Sequence, residues 1–156
     1  LAFEMKNDIV VFGSAKHELN KFKEEVGESI NSTDLVLNCT ADLIESKPWI
    51  KSKPKWMELT SRDINPFQIQ FDWREGEAPY CDLSFWKNII ERAFENDVTK
   101  IIVCCSNGKG KTGTALAALM VADGWEPQAA IDKLNQTYSK YAVETQAQRN
   151  YILDLK

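Results

Sequence analysis

The chain has 156 residues, 44% of them hydrophobic, which is enough for one hydrophobic core and predicts a single domain over residues 1–156. Its formal net charge of −4 argues against nucleic acid as a partner, because nucleic-acid-binding domains are usually basic. The four cysteines include no Cys-x2-Cys pair and lie far from the one histidine, His17, which argues against a zinc site and against a Cys-His protease.

The sequence does not predict contact with a membrane. The longest apolar run, residues 115–122, is far too short to span a bilayer, and the N-terminal segment Leu-Ala-Phe-Glu-Met-Lys lacks a secretory apolar core. We therefore expect the protein in the cytoplasm, where reducing conditions keep cysteine thiols free. We also expect it to be a monomer.

Short apolar segments with strand character alternate with amphipathic segments along the chain. Strands are predicted at residues 9–12, 35–39, 67–71 and 100–104, and helices at residues 15–26, 83–94 and 111–123. Further helices are predicted from Pro127 onward, where Val143, Ala147 and Tyr151 recur at spacings of four. This alternation predicts an α/β fold with a mostly parallel central sheet and helices on both faces.

Residues 45–56 lie between two predicted strands and contain two prolines and four lysines. This composition predicts a loop whose charges face solvent. The alternative is that its lysines form a rim that recruits an anionic substrate.

Residues 101–114 are the most informative stretch of the chain. A β-branched run ends in Cys105, and a glycine-containing turn then leads into a long apolar segment. In such a strand–loop–helix unit the backbone N–H groups of the loop and the helix dipole bind phosphate. A cysteine in this positive field is favoured as the thiolate, so Cys105 is a candidate nucleophile toward a bound phosphoryl group.

The same loop predicts an anion site for a phosphate or sulfate ion. Its expected ligands are backbone N–H groups and the Lys111 ammonium group. The residues that supply them are Ser106, Asn107, Gly108, Lys109, Gly110 and Lys111.

Two families of phosphate loop share features of this segment. From Cys105 the pattern is Cys-x5-Lys-Thr-Gly, which resembles the Cys-x5-Arg-Ser/Thr signature of the cysteine-based tyrosine and dual-specificity protein phosphatases. From Cys105 to Thr112 it is also one residue from the NTPase pattern Gly-x4-Gly-Lys-Ser/Thr. No hydrophobic strand ending in a magnesium-binding acid follows Thr112, and the loop lies late in the chain. Both features favour the phosphatase, with a nucleotide-binding protein as the alternative.

A second segment, residues 71–79, is similar to the mobile acid loop of that superfamily, Trp-Pro-Asp-x-x-x-Pro. With Pro79 at the family proline, Trp73 falls on the tryptophan and Glu75 on the catalytic aspartate. The resemblance implies that Glu75 is the general acid, and Asp72 is a second candidate carboxylate.

A third segment, residues 144–148, resembles the one whose final glutamine orients the hydrolytic water. That glutamine is Gln148. The alternative interpretation is that Gln148 is an ordinary residue on a helix surface. The resemblance covers about residues 60–155, and the earlier residues match only as strand-and-helix architecture.

The resemblance implies a mechanism that needs no metal or cofactor, because the loop supplies the positive charge. Cys105 forms a cysteinyl-phosphate while Glu75 protonates the leaving group, and the Thr112 hydroxyl donates to the cysteine sulfur. Glu75, now a base, and Gln148 then deliver water. The implied function is a phosphatase acting on a phosphomonoester, such as phosphotyrosine in a protein or a small phosphorylated molecule.

Three positions depart from the family pattern. Cys104 replaces the family histidine and is predicted as core, Glu75 replaces the aspartate, and Lys111 replaces the arginine. Lysine keeps the charge but lacks the planar fork that grips two phosphate oxygens. The alternative to an active enzyme is therefore a pseudophosphatase that binds phosphorylated ligands without turnover.

Overall fold

The computed structural model describes residues 3–15, 34–39, 55–58, 67–70, 73–74, 76–105 and 110–156. Its strands are β1 (Phe3–Glu4), β2 (Val10–Ala15), β3 (Asp34–Asn38), β4 (Lys55–Glu58), β5 (Phe67–Gln70) and β6 (Lys100–Cys105). Its helices are α1 (Leu83–Glu95), α2 (Gly110–Ala122), α3 (Pro127–Thr137) and α4 (Gln146–Leu153).

The described strands form one sheet in the order β1-β2-β6-β3-β5-β4. The four inner strands are parallel to one another, and the edge strands β1 and β4 pair antiparallel with their neighbours. The predicted α/β fold with a mostly parallel sheet is therefore confirmed. Parallel strands are covered on both faces, which explains why every residue of β6 after Lys100 is apolar.

Neighbouring residues of β6 point to opposite faces of the sheet. On one face, Ile101, Val103 and Cys105 belong to the main core together with α2. The smaller core on the other face contains the buried residues Phe12, Val36, Ile102 and Cys104. Cys104 is thus a core residue, as predicted, while Cys105 faces α2.

Helix α2 occupies the centre of the main core. It contacts β2, β6 and the other described helices. Every residue from Ala115 to Met120 is fully buried, which is typical of a helix that is apolar all round. Thr112, in the first turn of this helix, is fully buried as well, so the start of the helix also packs against the interior.

The two edge strands were not predicted from the sequence. β4 includes Lys55 and Trp56, which were assigned to the loop at residues 45–56, so that prediction is wrong at its C-terminal end. The helix predicted at residues 15–26 is wrong at Ala15, the last residue of β2, and its other residues lie outside the described ranges.

The helical spacing of Val143, Ala147 and Tyr151 is wrong at its first position. Helix α4 begins only at Gln146, after the N-cap residue Thr145. Val143 has a φ of 55°, in the left-handed region that a helix excludes. Its apolar side chain is buried in the core from a turn, not from a helix.

In the part of the chain that the structure describes, no helix has both the length and the apolar character needed to cross a membrane.

The turn before α4 packs directly on Gly113, and replacing this glycine with alanine is expected to destabilise the fold. The added Cβ would lie 2.6 Å from Ala142 Cα and 2.9 Å from Val143 N, which are backbone atoms and cannot rotate away. We expect the free energy of unfolding to fall by about 2 kcal/mol, the cost of overpacking less the gain in helix propensity. Urea unfolding followed by tryptophan fluorescence measures this change.

The matched control is Gly110→Ala in the same helix. There the nearest atom, Glu144 Oε2, lies 3.4 Å from the added Cβ, close to ordinary contact. We expect its unfolding free energy to change by less than about 0.5 kcal/mol, as for a change without a packing defect. Equal losses for both variants would contradict the packing explanation for Gly113.

Candidate active site

The site is centred on the end of β6. Cys105 is the last residue of this strand, at the carboxyl end of the parallel sheet, where α/β folds bind ligands. Helix α2 begins at Gly110. The predicted phosphate-binding residues between them, Ser106, Asn107, Gly108 and Lys109, lie outside the described residues.

The structure brings Thr112 and Cys105 together. The Thr112 hydroxyl donates a hydrogen bond to Cys105 Sγ over 3.0 Å, and both residues are buried. A donated O–H group stabilises negative charge on sulfur. This contact places a hydroxyl from the first turn of α2 against the candidate nucleophile.

The first turn of α2 is fixed by a further buried hydroxyl. Thr114 Oγ1 donates to the carbonyl oxygen of Gly110 over 2.8 Å. Lys111 follows Gly110 and is partly exposed. Its positive charge therefore belongs to the first turn of α2, where the helix dipole is also positive.

Gln148 is buried, with 1% of its surface exposed, so the helix-surface alternative is wrong. Its amide oxygen accepts hydrogen bonds from the N–H groups of Glu144 over 2.9 Å and Thr145 over 3.2 Å. The Thr145 hydroxyl in turn accepts the N–H of Gln148, completing a capping box at the start of α4.

The side chains of Glu144 and Gln148 reach the start of α2. A Cβ on Gly110 would lie 3.4 Å from Glu144 Oε2 and 3.6 Å from Gln148 Nε2. The sequence analysis singled out Gln148 but missed Glu144. The Thr-x-x-Gln pattern of the capping box was the signal that could have placed Glu144 in the turn before α4.

The acid-loop segment contacts the same turn. Thr145 Oγ1 donates to the carbonyl oxygen of Gly76 over 2.6 Å, and Gln148 Nε2 donates to that of Glu77 over 3.5 Å. Gly76 has a φ of 76°, which favours glycine at this point of the loop. The two candidate carboxylates, Asp72 and Glu75, lie outside the described residues.

Three other residues of the acid-loop segment lie in ordinary packing or surface environments. Trp73 and Pro79 are buried, and Arg74 is exposed. Arg74 Nη1 lies 3.8 Å from Glu77 Oε1, an exposed ion pair that contributes little to stability.

Comparison with known families gives a direct result. The model of the Swiss Army Knife protein, DSP-PTPase phosphatase domain, matches residues 49–151. The chain belongs to this phosphatase family. The family lies within the cysteine-based tyrosine and dual-specificity phosphatases, so the resemblance found in the sequence is confirmed.

Solved phosphatase structures share the fold of this phosphatase domain. Tk-PTP in its active form has a TM-score of 0.58 and 20% identity, over 96% of this chain and 92% of that chain. PTPMT1 in complex with PI(5)P has a TM-score of 0.58 and 12% identity, over 97% and 92%. PTPN18 in complex with HER2 phosphopeptides has a TM-score of 0.56 and 14% identity, over 96% and 67%. No curated protein sequence matches the chain.

Cys81 of the phosphatase domain lies in a partly buried hydrogen-bonded cluster with Trp86 and Tyr151. Trp86 Nε1 donates to Tyr151 Oη over 2.7 Å, and Tyr151 Oη donates to the carbonyl oxygen of Cys81 over 2.6 Å. Burial raises the pKa of the Cys81 thiol to about 11, and burial also raises the pKa of Tyr151. The Cys81 thiol therefore stays protonated near neutral pH and is not a candidate nucleophile.

Within the described ranges, no group of three or more His, Cys, Asp or Glu side chains is placed to hold a metal ion.

Proposed function

We propose that this phosphatase domain hydrolyses phosphomonoesters, such as phosphotyrosine in proteins, through a cysteinyl-phosphate intermediate. The observation that carries the proposal is the 3.0 Å hydrogen bond from Thr112 Oγ1 to Cys105 Sγ at the carboxyl end of β6. A donor aimed at the sulfur stabilises it as an attacking thiolate and again as the leaving group of the second step.

The chemistry proceeds in two steps. Cys105 attacks phosphorus while the N–H groups of residues 106–111 and the Lys111 ammonium bind the phosphoryl oxygens. Glu75, or Asp72 in its place, protonates the departing alkoxide or phenoxide. The same carboxylate, now a base, then takes a proton from a water held by Gln148 as the water oxygen bonds to phosphorus, and the electron pair of the P–S bond returns to Cys105 Sγ. Positive charge from the loop takes the part that a metal has in other phosphoryl transfers.

The second candidate function is phosphate binding without turnover. It is favoured by one observation, the lysine at position 111 in place of the family arginine. A lysine contacts phosphate as a point charge, whereas arginine holds two oxygens at once in the transition state.

The nucleotide-binding alternative loses its support. Residues 110–156 are described throughout and form helices without a strand, so they offer no strand end for a magnesium-binding acid. The family match is to a phosphatase domain.

The proposal also covers the domain organisation, oligomeric state, ligand and compartment of the enzyme. We propose one domain over residues 1–156, acting as a monomer on a phosphorylated protein or small molecule. The complexes of PTPN18 with phosphopeptides and of PTPMT1 with PI(5)P support a phosphorylated ligand. A thiolate nucleophile fits a reducing compartment such as the cytoplasm.

Substituting Lys111 with arginine tests enzyme against binding module. The arginine restores a second charge-assisted hydrogen bond in the transition state, so we expect kcat on an aryl phosphate to rise at least about 10-fold. The affinity for inorganic phosphate should change less. Both are measured in buffer with EDTA, by release of the phenol and by calorimetry.

The other outcomes are equally informative. A measurable wild-type rate that falls in Lys111→Arg would mean a loop adapted to lysine. Phosphate binding without turnover in either protein would replace the phosphatase by the binding module. Magnesium-dependent binding of ATP, with no hydrolysis of the aryl phosphate, would overturn both.

A further inference from the structure

A second cysteine, Cys39, lies beside the candidate nucleophile on the neighbouring strand. β3 and β6 are parallel, and their register pairs Asn38 with Cys104. The Cys39 N–H group donates to the carbonyl oxygen of Cys104 over 2.8 Å. In a parallel ladder an N–H group bonds to the residue before its cross-strand partner, so this hydrogen bond continues the ladder and pairs Cys39 with Cys105.

The side chains of Cys39 and Cys105 point to the same face of the sheet. Both belong to the main core beside α2. Cys104 belongs to the smaller core on the other face, as expected for neighbours along a strand. Cys39 has 0% of its surface exposed and Cys105 has 2%. Both are thiols in this structure, and they are neighbours in the packed interior.

This arrangement fits the geometry of a disulfide. Neighbouring strands lie about 4.8 Å apart, within the range of about 4.4–6.8 Å that separates the Cα atoms of bonded cysteines. The Cys39–Cys105 bond therefore needs side-chain rotation but no movement of the strands. Cys104 faces away from Cys105, and Cys81 lies before α1 in its cluster with Trp86 and Tyr151. Cys39 is thus the thiol that the fold pairs with the nucleophile.

We propose that Cys39 and Cys105 form a reversible disulfide that turns the site off under oxidising conditions, a proposal that rests on the phosphatase function proposed above. The oxidant is a peroxide. Cys105 Sγ attacks one peroxide oxygen and becomes a sulfenic acid as the O–O bond breaks. Cys39 Sγ then attacks Cys105 Sγ. The S–S bond forms, the S–O bond breaks, and the departing hydroxide takes the Cys39 proton and leaves as water.

The electron balance of the switch is that of an ordinary disulfide. Two electrons pass from the two thiols to the peroxide, and a dithiol reductant restores both thiols by exchange. In the oxidised form Cys105 has no thiolate to attack phosphorus. The sulfur that accepts the Thr112 hydrogen bond is then also no longer able to carry a negative charge.

The burial of Cys39 gives the disulfide a protective role. A sulfenic acid that meets no thiol is oxidised further to a sulfinic acid, which ordinary thiols do not reduce. Cys39 is held in the core, so it is itself shielded from peroxide and is available only to the sulfur beside it. The disulfide therefore stops the oxidation of Cys105 at a stage from which activity can be recovered.

The test is peroxide treatment of wild type, Cys39→Ala and Cys104→Ser, followed by reduction with dithiothreitol. The chain has four cysteines and one disulfide uses two, so treated wild type should lose two thiols per chain when counted in denaturant. Mass spectrometry should show the peptide with Cys39 cross-linked to the peptide with Cys105. Cys104→Ser is the matched control and should form the same cross-link, now with a single cysteine on the β6 peptide.

The second readout is the hydrolysis of an aryl phosphate, with each protein compared with its own untreated form. Wild type and Cys104→Ser should regain nearly all activity after dithiothreitol. Cys39→Ala should regain at least about fivefold less, because its Cys105 proceeds to the sulfinic acid. The urea midpoint establishes that each variant is folded, and Cys39→Ser replaces the alanine variant if that one is not.

The outcomes separate this switch from the phosphatase function itself. A phosphatase that loses no thiols, or whose disulfide includes Cys81 or Cys104, would overturn the pairing and leave the enzyme proposal standing. Equal recovery of wild type and Cys39→Ala would show that Cys39 does not protect the nucleophile. A wild type that forms the cross-link but hydrolyses no aryl phosphate when reduced would remove the phosphatase proposal and the switch with it.

Discussion

Replacing Cys105 with serine is expected to abolish turnover of an aryl phosphate, lowering kcat on the order of 10⁴-fold or more, as for loss of other covalent nucleophiles. The serine hydroxyl remains protonated at neutral pH, so no anion is available to attack phosphorus. The loop and Lys111 remain, so the affinity for inorganic phosphate should change by less than about threefold, roughly 0.65 kcal/mol. Phenol release in EDTA and calorimetry with phosphate measure the two effects.

Cys104→Ser is the matched control, one residue earlier in the same strand. Cys104 lies on the opposite face of the sheet, in the smaller core with Phe12, Val36 and Ile102. We expect kcat within a few-fold of wild type and a loss of about 1–2 kcal/mol in unfolding free energy, because a hydroxyl replaces a buried thiol. If Cys104→Ser were inactive and Cys105→Ser active, the nucleophile would be misassigned.

The centre of the fold is predictable from the sequence because its signals are local. The apolar run of β6, buried on both faces, differs clearly from the amphipathic segments beside it. Glycine-containing residues between that strand and an apolar helix predict a phosphate loop. The strand end and the first helical turn then bring Cys105 and Thr112 within hydrogen-bond distance, as expected from the phosphatase resemblance.

The edges of the sheet are not predictable in the same way. β1 has two residues and β4 has four, and each is a strand only because it pairs with a neighbour. Such pairing is a tertiary event that overrides weak local preference. The prolines and lysines of residues 45–56 are typical of a loop, so the sequence did not predict that β4 begins at Lys55.

The position of Glu144, in the turn before α4, could not be predicted because the spacing of its neighbours is misleading. Val143, Ala147 and Tyr151 recur at a spacing of four, which places Glu144 inside a helix. The left-handed φ of Val143 interrupts that helix in a turn that packs closely on Gly113, a tertiary contact that local spacing does not reveal. A valine in this conformation is rare enough that no sequence rule predicts it.

Replacing Thr112 with valine is expected to lower kcat about 100-fold, the equivalent of about 2.7 kcal/mol. Valine fills the same buried space but cannot donate to Cys105 Sγ, which now lies 3.0 Å from the hydroxyl. Sulfur then leaves the cysteinyl-phosphate without a hydrogen bond to its developing charge, so hydrolysis of the intermediate should slow more than its formation. Rapid-mixing kinetics on an aryl phosphate resolve the two steps.

Thr112→Ser is the control that keeps the hydroxyl and removes only a methyl group, and its kcat should stay within about fivefold of wild type, roughly 1 kcal/mol. Thr112→Val changes a neutral donor, so the acidic limb of the pH dependence of kcat should persist. Equal losses in Thr112→Val and Thr112→Ser would show that packing of the side chain, and not its hydrogen bond to the sulfur, is what the site requires.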